Sequence, residues 1–465
     1  MKRNTGKRLG AGLLGTVFVM GAALPVYASS APQVAAYMTE GIGTVAAVAD
    51  TAVTVEMAGA AESTLQDNLI EFGEIESMVI SFNDTVLSNR YTYKNLKEMQ
   101  DDDSDEEDDD EGGVSRPSGG YEDDESDEAI EAIEDGIKVY DTQIEALKAQ
   151  MSAATDAATK AALQTQITLL ENTKATLVMQ QQSMLALQGL NSSMSDMADS
   201  MSSMSSGITD EDLRGYYLQF EEIEATLIKT AQGMFPTYYQ LAYNLDQLKA
   251  NLTVAETAYQ GALVRQSLGM CTSNEVLEAS YNVTTIKNNI TNLENQMVTL
   301  KQELCKLIGK DYNADITLGP LPGVYEAYVS SINFEHDVDA AVDSNYTVCS
   351  KQNEMRKYDS DTSEETRAAG KYALAAARED SRAALSQAYM NIQTQRTELQ
   401  MALEKLRNAE TQMLNTEGSY KLGLISRLEY EQQLASYLTD ESNYKIAEAK
   451  LFDAVNTYQW HMRGL

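Results

Sequence analysis

Two long stretches of the chain carry apolar residues in alternating steps of three and four, the spacing of helices that pack along one seam. Each stretch contains two such runs. In the first stretch the seam residues are Leu241, Leu245, Leu248, Leu252, Ala255, Tyr259 and Ala262, then Val283, Ile286, Ile290, Leu293, Met297, Leu300, Leu304 and Leu307. In the second they are Leu385, Tyr389, Ile392, Leu399, Leu403, Leu406 and Met413, then Tyr430, Leu434, Tyr437, Tyr444, Leu451 and Tyr458. The pattern predicts an all-α fold of long antiparallel coiled-coil hairpins in two pseudo-repeats.

A short motif separates the two runs of each stretch. It reads LGMCTSNE in the first stretch and LGLISRLE in the second, 154 residues further on. In both copies a glycine is placed to close one helix in the left-handed conformation. A Ser or Thr three residues later, followed by Glu after another three, predicts a capping box that starts the next helix. The predicted tips therefore consist of Leu268, Gly269, Met270, Cys271, Thr272 and Glu275, and of Leu422, Gly423, Leu424, Ile425, Ser426 and Glu429.

The descending arms of the two hairpins have nearly the same length. Gly269 and Gly309 are 40 residues apart, and Gly423 and Gly464 are 41 apart. At a rise of about 1.5 Å per residue, each arm spans about 60 Å. Four such helices are too few to close a wide tube, so one chain could form only one sector of it.

The same patterns divide the chain into segments. We predict a signal peptide at 1–28, an N-terminal segment with the first helices of repeat one at 29–99, and an acidic disordered linker at 100–136. An inserted helical hairpin follows at 137–206, then the coiled-coil hairpin of repeat one at 207–311, a connecting segment at 312–345, and the hairpin of repeat two at 346–465. Proline removes a backbone donor, so Phe235-Pro236 predicts a break or kink in the first long helix.

The linker is strongly acidic. Residues 101–135 contain 19 acidic residues against one base, Arg116, and such a block does not collapse. Calcium binding is the alternative, but the loop lacks the spacing of an EF-hand. The inserted hairpin ends in Met194, Met197, Met201 and Met204, whose spacing continues a helix seam; Cu(I) binding by the thioethers is the alternative.

Composition and charge narrow the class of protein. The chain has 465 residues, a formal net charge of −36, and only 2 His, 6 Pro and 1 Trp. This acidity disfavours nucleic acid as a partner. The first residues are basic, residues 9–24 are mostly apolar, and Val26-Tyr27-Ala28 resembles a cleavage site, which predicts export; an uncleaved anchor is the alternative.

The sequence offers no recognisable catalytic chemistry. His336 and His461 lie in no metal-ligand spacing, and no phosphate-binding loop or nucleophile motif is present. Cys271, Cys305 and Cys349 are an odd set without metal spacing, so buried free thiols are favoured over a disulfide. We therefore expect a protein that is not an enzyme and has no cofactor or metal.

The second tip and its surroundings, GSYKLGLISRLEYEQQL, resemble the TolC-like outer membrane efflux family. That family repeats a helical hairpin twice, with a tip motif close to Tyr-x-x-Gly-x-x-Ser/Thr-x-x-Asp/Glu. Tyr420, Gly423, Ser426 and Glu429 match it, whereas Gln266 replaces the tyrosine in the first copy. The family also inserts long membrane strands in each repeat, and the sequence shows none at 100–206 or around KYDSDTSEETRAAGK, which predicts a divergent, barrel-less relative.

The resemblance implies a homotrimeric duct in the cell envelope, at the outer membrane if the host has one. Its tips would dock onto a periplasmic-adaptor-type protein linked to an inner-membrane pump. It implies transport of small molecules or peptides. The alternative is a secreted structural or cell-surface coiled-coil protein with no transport role. The glycines and caps serve either purpose, so they do not separate these hypotheses.

Overall fold

The computed structural model describes residues 68–102, 123–153, 208–324 and 326–465, and parts of 163–189. The signal peptide, most of the predicted linker and the methionine stripe lie outside the described residues. The helices are α1 Ile75–Phe82, α2 Asp84–Asp102, α3 Asp123–Ala153, α4 Asp210–Ser267, α5 Ser273–Leu307, α6 Glu326–Ser331, α7 Phe334–Ser344, α8 Tyr346–Arg356, α9 Glu364–Lys421 and α10 Arg427–Met462. Two-residue strands, β1 Leu69–Ile70 and β2 Thr317–Leu318, form a parallel pair.

The four long helices confirm the two pseudo-repeats. Helices α4 and α9 each contain 58 residues, and α5 and α10 contain 35 and 36. Helix α4 packs against α5, α9 packs against α10, and the two hairpins meet through α4 and α10. The helices therefore lie in a row in the order α5, α4, α10, α9, with α5 and α9 at its edges.

The seam between α4 and α5 is built as the sequence predicts. Leu241 and Leu248 of α4 are buried in one core with Leu293, Leu300 and Leu304 of α5. Their spacing places one apolar residue on the facing side at every turn. The apolar seam thus joins the two arms of the first hairpin.

The contact between the hairpins is more polar. Gln232 of α4 accepts a hydrogen bond from the Trp460 indole at 2.9 Å, and Gln247 donates one to Asn443 at 3.0 Å. These two pairs show that α4 and α10 run antiparallel. No single seam of large apolar residues in the sequence predicts this contact, so only the structure reveals it.

Short elements gather at the end of the row away from the tips. Asn83 donates a hydrogen bond from Nδ2 to the carbonyl of Leu307 at 2.9 Å, which attaches the α1–α2 turn to the end of α5. Asn345 likewise donates to the carbonyl of Gly464 at 3.1 Å, just beyond α10. Both descending arms therefore end against the short helices, in the same way in each repeat.

The inserted hairpin is antiparallel, as expected. Helix α3 pairs with the helical residues between 163 and 189 through Lys148–Glu171 at 2.7 Å and Lys174–Asp141 at 2.5 Å. The linker prediction of 100–136 is too long, because α2 continues to Asp102 and α3 begins at Asp123.

Of the break or kink predicted at Phe235-Pro236, the break is wrong, because α4 continues through it. Phe235 and Pro236 are both buried, so tertiary packing holds this turn in the helix. The hydroxyl of Thr237 also donates to the carbonyl of Gly233, one turn earlier, at 2.8 Å. Packing here outweighs the preference of proline to end a helix.

Partly buried charge at the α4–α10 contact makes stability depend on pH. Burial raises the pKa of the Asp453 carboxyl to about 6, although the charge of Lys229 opposes the shift. Burial also lowers the pKa of Lys229, and burial together with Lys229 lowers the pKa of His461. Because the folded-state pKa is raised, the carboxyl destabilises the protein only when it is ionised. The free energy of unfolding is therefore highest below about pH 4 and falls as the pH rises through about 6.

We therefore expect Asp453→Asn to stabilise the protein by about 1–3 kcal/mol at pH 7.5 and to have no effect near pH 4. Urea denaturation at both pH values measures this. Asp380→Asn, an exposed change on α9, is the matched control. A stabilisation of equal size at the two pH values would contradict the account.

Candidate docking site at the hairpin tips

Each tip begins with the same helix ending. Gly269 and Gly423 have φ of 72° and 70°, the left-handed conformation that the sequence predicted for them. The N–H of Met270 bonds to the carbonyl of Arg265 at 2.8 Å, and that of Gly269 to Gln266 at 2.9 Å. These two bonds form a Schellman motif, which satisfies the last free carbonyls of the helix.

The second tip repeats this geometry. The N–H of Leu424 bonds to Ser419 and that of Gly423 to Tyr420, both at 2.9 Å. Gly309 and Gly464, at the far ends of the descending arms, also have positive φ values of 68° and 112°. The C-terminal end of each of the four long helices thus closes on a glycine.

The start of the next helix differs between the tips. At the second tip, Ser426 Oγ accepts from the N–H of Glu429 at 3.3 Å, and the Glu429 carboxylate accepts from the N–H of Ser426 at 2.9 Å. This is the complete capping box that was predicted. The backbone and side-chain hydrogen bonds from Ser426 lower the pKa of Glu429.

At the first tip the capping box is incomplete, which corrects the prediction for that copy. Thr272 caps the N–H of Glu275 at 3.3 Å. The Glu275 carboxylate instead accepts from the Cys271 thiol at 3.1 Å and from the Thr272 hydroxyl at 3.0 Å. These side-chain hydrogen bonds lower the pKa of Glu275, and desolvation followed by the same carboxylate raises the pKa of Cys271. The Cys271 thiol thus competes with the backbone N–H for the carboxylate. The second tip has Ile425 at the matching position, which cannot donate a hydrogen bond from its side chain.

Contacts that cross each turn were missed from the sequence. The Tyr420 and Tyr430 rings stack with centroids 4.6 Å apart, one on each arm of the second hairpin. At the first tip Gln266, which replaces the tyrosine, donates a hydrogen bond to Ser273 Oγ at 3.0 Å. Side chains therefore link the two arms at both turns, by ring stacking at the second tip and by a hydrogen bond at the first.

Both tips lie at the same end of the row. The antiparallel pairs Gln232–Trp460 and Gln247–Asn443 set the register between α4 and α10. Continued along the helices, that register places the end of α4 beside the start of α10. The helix row therefore presents its two turns side by side.

The tips expose large apolar side chains. Leu268 and Met270 are 67% and 72% exposed, and Leu422 and Leu424 are 76% and 73% exposed. Cys271 and Ile425 are half-buried, so Met270 and Leu424 are the exposed members of the two predicted apolar pairs. Covering one such side chain would contribute about 1.5–3 kcal/mol to binding.

Charged residues lie next to the apolar side chains of the second tip. Lys421 pairs with Glu417 at 2.5 Å and Arg427 with Glu431 at 2.9 Å, both within the second hairpin. An apolar centre with a polar rim is typical of protein–protein interfaces. The arrangement can bind a partner.

Two negative findings concern the described part of the chain. No three His, Cys, Asp or Glu side chains among these residues are grouped so as to hold a metal ion. No described helix combines the length and apolar character needed to cross a membrane. Cys271, Cys305 and Cys349 are free thiols, as the sequence favoured. Cys305 is buried, but Cys271 and Cys349 are only half-buried, so the expectation of burial is wrong for these two.

The chain is similar to several solved structures. A membrane protein from Pseudomonas aeruginosa is 12% identical with a TM-score of 0.41, over 60% of this chain and 72% of that one. The outer membrane protein VceC from Vibrio cholerae is 13% identical with a TM-score of 0.38, over 59% and 76%. CusC is 11% identical with a TM-score of 0.42, over 70% and 96%. No family model and no curated protein matches the chain.

Proposed function

We propose that this protein is an exported, TolC-like duct component that docks at its hairpin tips onto an adaptor-type partner. The observation that carries the proposal is the pair of adjacent turns, where Leu268, Met270, Leu422 and Leu424 are each more than two-thirds exposed. Four uncovered apolar side chains at one end of a rigid helix row are characteristic of an interaction site. A secreted structural coiled coil would have no need to hold them together at one end.

The edges of the helix row support assembly. On α5, Leu277 and Tyr281 are 66% and 75% exposed, and on α9 Met390 and Leu414 are 53% and 70% exposed. The two edges of the row differ, so each can be covered by the opposite edge of another copy. Contacts of the α5 edge of one copy with the α9 edge of the next can close into a ring. We propose a homotrimer of twelve long helices around a channel. By its resemblance to the TolC-like family, we propose that the channel lies in the cell envelope. It would pass small molecules or peptides that an inner-membrane pump delivers.

The test is an efflux assay in the native host with the gene deleted. Restoring the wild-type chain is expected to restore export of a fluorescent efflux substrate. A variant with Leu268, Met270, Leu422 and Leu424 all changed to Ser is expected to fail, because two lost anchors alone weaken docking by at least about a hundredfold. Tyr91→Ser with Tyr372→Ser, changes at two exposed rings on α2 and α9, is the control for lost apolar surface.

The failure must arise at the tips and not from folding or secretion. Equal amounts of exported protein and equal helical circular dichroism are therefore required of both variants. Full export by the tip variant would exclude adaptor docking there. A stable monomer of the purified wild-type chain, by native mass spectrometry, would contradict the duct.

A further inference from the structure

The inserted hairpin lies against one face of α5. Gln143 of α3 and Asn289 of α5 exchange two hydrogen bonds through their side-chain amides, at 3.4 and 3.3 Å. Seven residues away on each helix, Gly136 of α3 lies over Gln296 of α5, whose Nε2 would be 3.5 Å from a Cβ on that glycine. Residue numbers therefore rise along α3 as they fall along α5, and the two helices run antiparallel.

The second repeat uses the matching face of α10 for another neighbour. The two repeats correspond at an offset of 154 residues, which separates both their tip glycines and the starts of α4 and α9. At this offset Asn289 corresponds to Asn443, which accepts a hydrogen bond from Gln247 of α4. Helix α4 also runs antiparallel to α10. Helix α3 therefore takes the place against α5 that α4 takes against α10.

The matching face of α9 is uncovered in the described part of the chain. On α4, Gln247 is fully buried, and the Tyr243 ring lies 5.8 Å from Lys445 Nζ of α10. Their counterparts on α9 are Met401, which is 52% exposed, and Thr397, which is exposed too. Since α9 corresponds to α4 and α5 to α10, a second copy that continues the row would place this α9 face against α5 around Asn289. In the single chain, α3 already lies there.

The insert has a core of its own. Its buried apolar side chains pack with one another across the two arms, and among the described residues none belongs to the core of the first hairpin; they include Ile133, Tyr140, Ile144, Ile167, Leu170 and Leu177. A groove of about 1060 Å³ lies between α3 and α5. The contact around Asn289 consists of amides, and each such hydrogen bond contributes only about 1 kcal/mol net. The insert can therefore leave α5 at a small cost and without losing its own core.

We propose that the insert guards an assembly surface: it covers the face of α5 around Asn289 in the single chain and leaves it when α9 of a second copy takes its place. The inference rests on the ring proposed above and adds a step that controls its closure. Nearer the tip, Leu277 and Tyr281 of α5 are exposed and give the second copy a first contact. The insert competes well because Gln143 offers an amide to Asn289, whereas Met401 has no N–H to donate.

Sedimentation of the full exported chain over a range of concentrations tests the guard. Gln143→Ala is expected to lower the concentration at which half of the chains are trimeric by about tenfold, because each copy then releases its insert more easily. Met401→Gln is expected to lower it similarly, since the second copy then brings an amide to Asn289.

Each substitution has a matched control. Gln181→Ala removes an amide that donates to Glu134 within the insert at 2.9 Å, so it should leave the midpoint of assembly unchanged. Met390→Gln makes the same change at another exposed methionine of α9 and should not promote assembly. All variants should keep the helical circular dichroism of the wild type.

Cross-linking locates the contact in the assembled chain. With Asn289→Cys and Met401→Cys, a short bismaleimide is expected to join positions 289 and 401 of different copies, as identified by peptide mapping. Asn289→Cys with Tyr372→Cys, at a distant exposed ring of α9, is the control and should give no such bridge.

The outcomes separate the guard from the ring. Trimers with the same midpoint in the wild type, Gln143→Ala and Met401→Gln would overturn the guard and leave the ring standing. Trimers without the 289–401 bridge would also overturn it, because the second copy would then lie elsewhere. Chains that stay monomeric at every concentration, in the wild type and in both variants, would overturn the ring and the guard together.

Discussion

Replacing Gly309 by Ala is expected to destabilise the protein by about 2–5 kcal/mol. At φ of 68° any residue with a Cβ is strained by about 1–2 kcal/mol. A methyl group at this position would also overlap the carbonyl oxygen of Phe82 and approach its Cβ to 2.5 Å. Forced overpacking of this kind costs about a further 1–3 kcal/mol. The neighbouring bond from Asn83 to the Leu307 carbonyl leaves the Phe82 backbone little freedom to withdraw.

Gly269→Ala is the matched control for this substitution. Gly269 has almost the same φ, 72°, but a Cβ there would meet no atom within 4 Å. Its cost should be the conformational strain alone, about 1–2 kcal/mol. Urea denaturation of both variants isolates the packing contribution. Equal losses of unfolding free energy for Gly309→Ala and Gly269→Ala would show that the contact with Phe82 does not add to the destabilisation.

Phe235→Ala is expected to cost about 3–5 kcal/mol, the second large effect. Phe235 is fully buried in α4 beside Pro236. Its ring centroid lies 5.7 Å from that of Phe72 in edge-on geometry and 5.6 Å from that of Tyr239 in tilted geometry. Phe72 in turn contacts the ring of Phe452 on α10 at 4.7 Å. The substitution therefore opens a cavity where the N-terminal segment joins both hairpins.

Chemical denaturation measures the loss, and limited proteolysis locates it. Cleavage near Phe72 should increase, since its ring loses one of its two aromatic neighbours. Tyr372→Ala is the control, because that ring is 78% exposed and should change stability by less than about 0.5 kcal/mol. A small effect of Phe235→Ala, with no new cleavage, would mean that the segment is held by other contacts.

The sequence predicted the features that depend on local geometry. A seam residue such as Leu293 is recognisable because a helix returns to the same face every three or four residues. Gly423 and Ser426 are recognisable because a left-handed ending and an N-cap each need particular residue types. These signals act over a few residues, which is why the hairpins, their turns and their equal lengths followed from the sequence.

The sequence did not predict contacts that depend on more than a recognised local motif. The parallel pair of Leu69–Ile70 with Thr317–Leu318 is too short to show any alternation. The incomplete cap at Glu275 depends on the thiol of Cys271, which has no motif of its own. Pro236 stays helical because its neighbours are buried, and burial is not visible in a local pattern.

The sequence by itself therefore determined two helical hairpins, their glycine-closed turns and the apolar residues at their tips, since each follows from helix period and capping. Only the tertiary structure decided that α4 and α10 pair antiparallel and so place both tips at one end. That pairing rests on polar residues such as Gln232 and Gln247, whose partners lie about 200 residues away. Contacts at such separation depend on how whole helices pack, which no short stretch of sequence records.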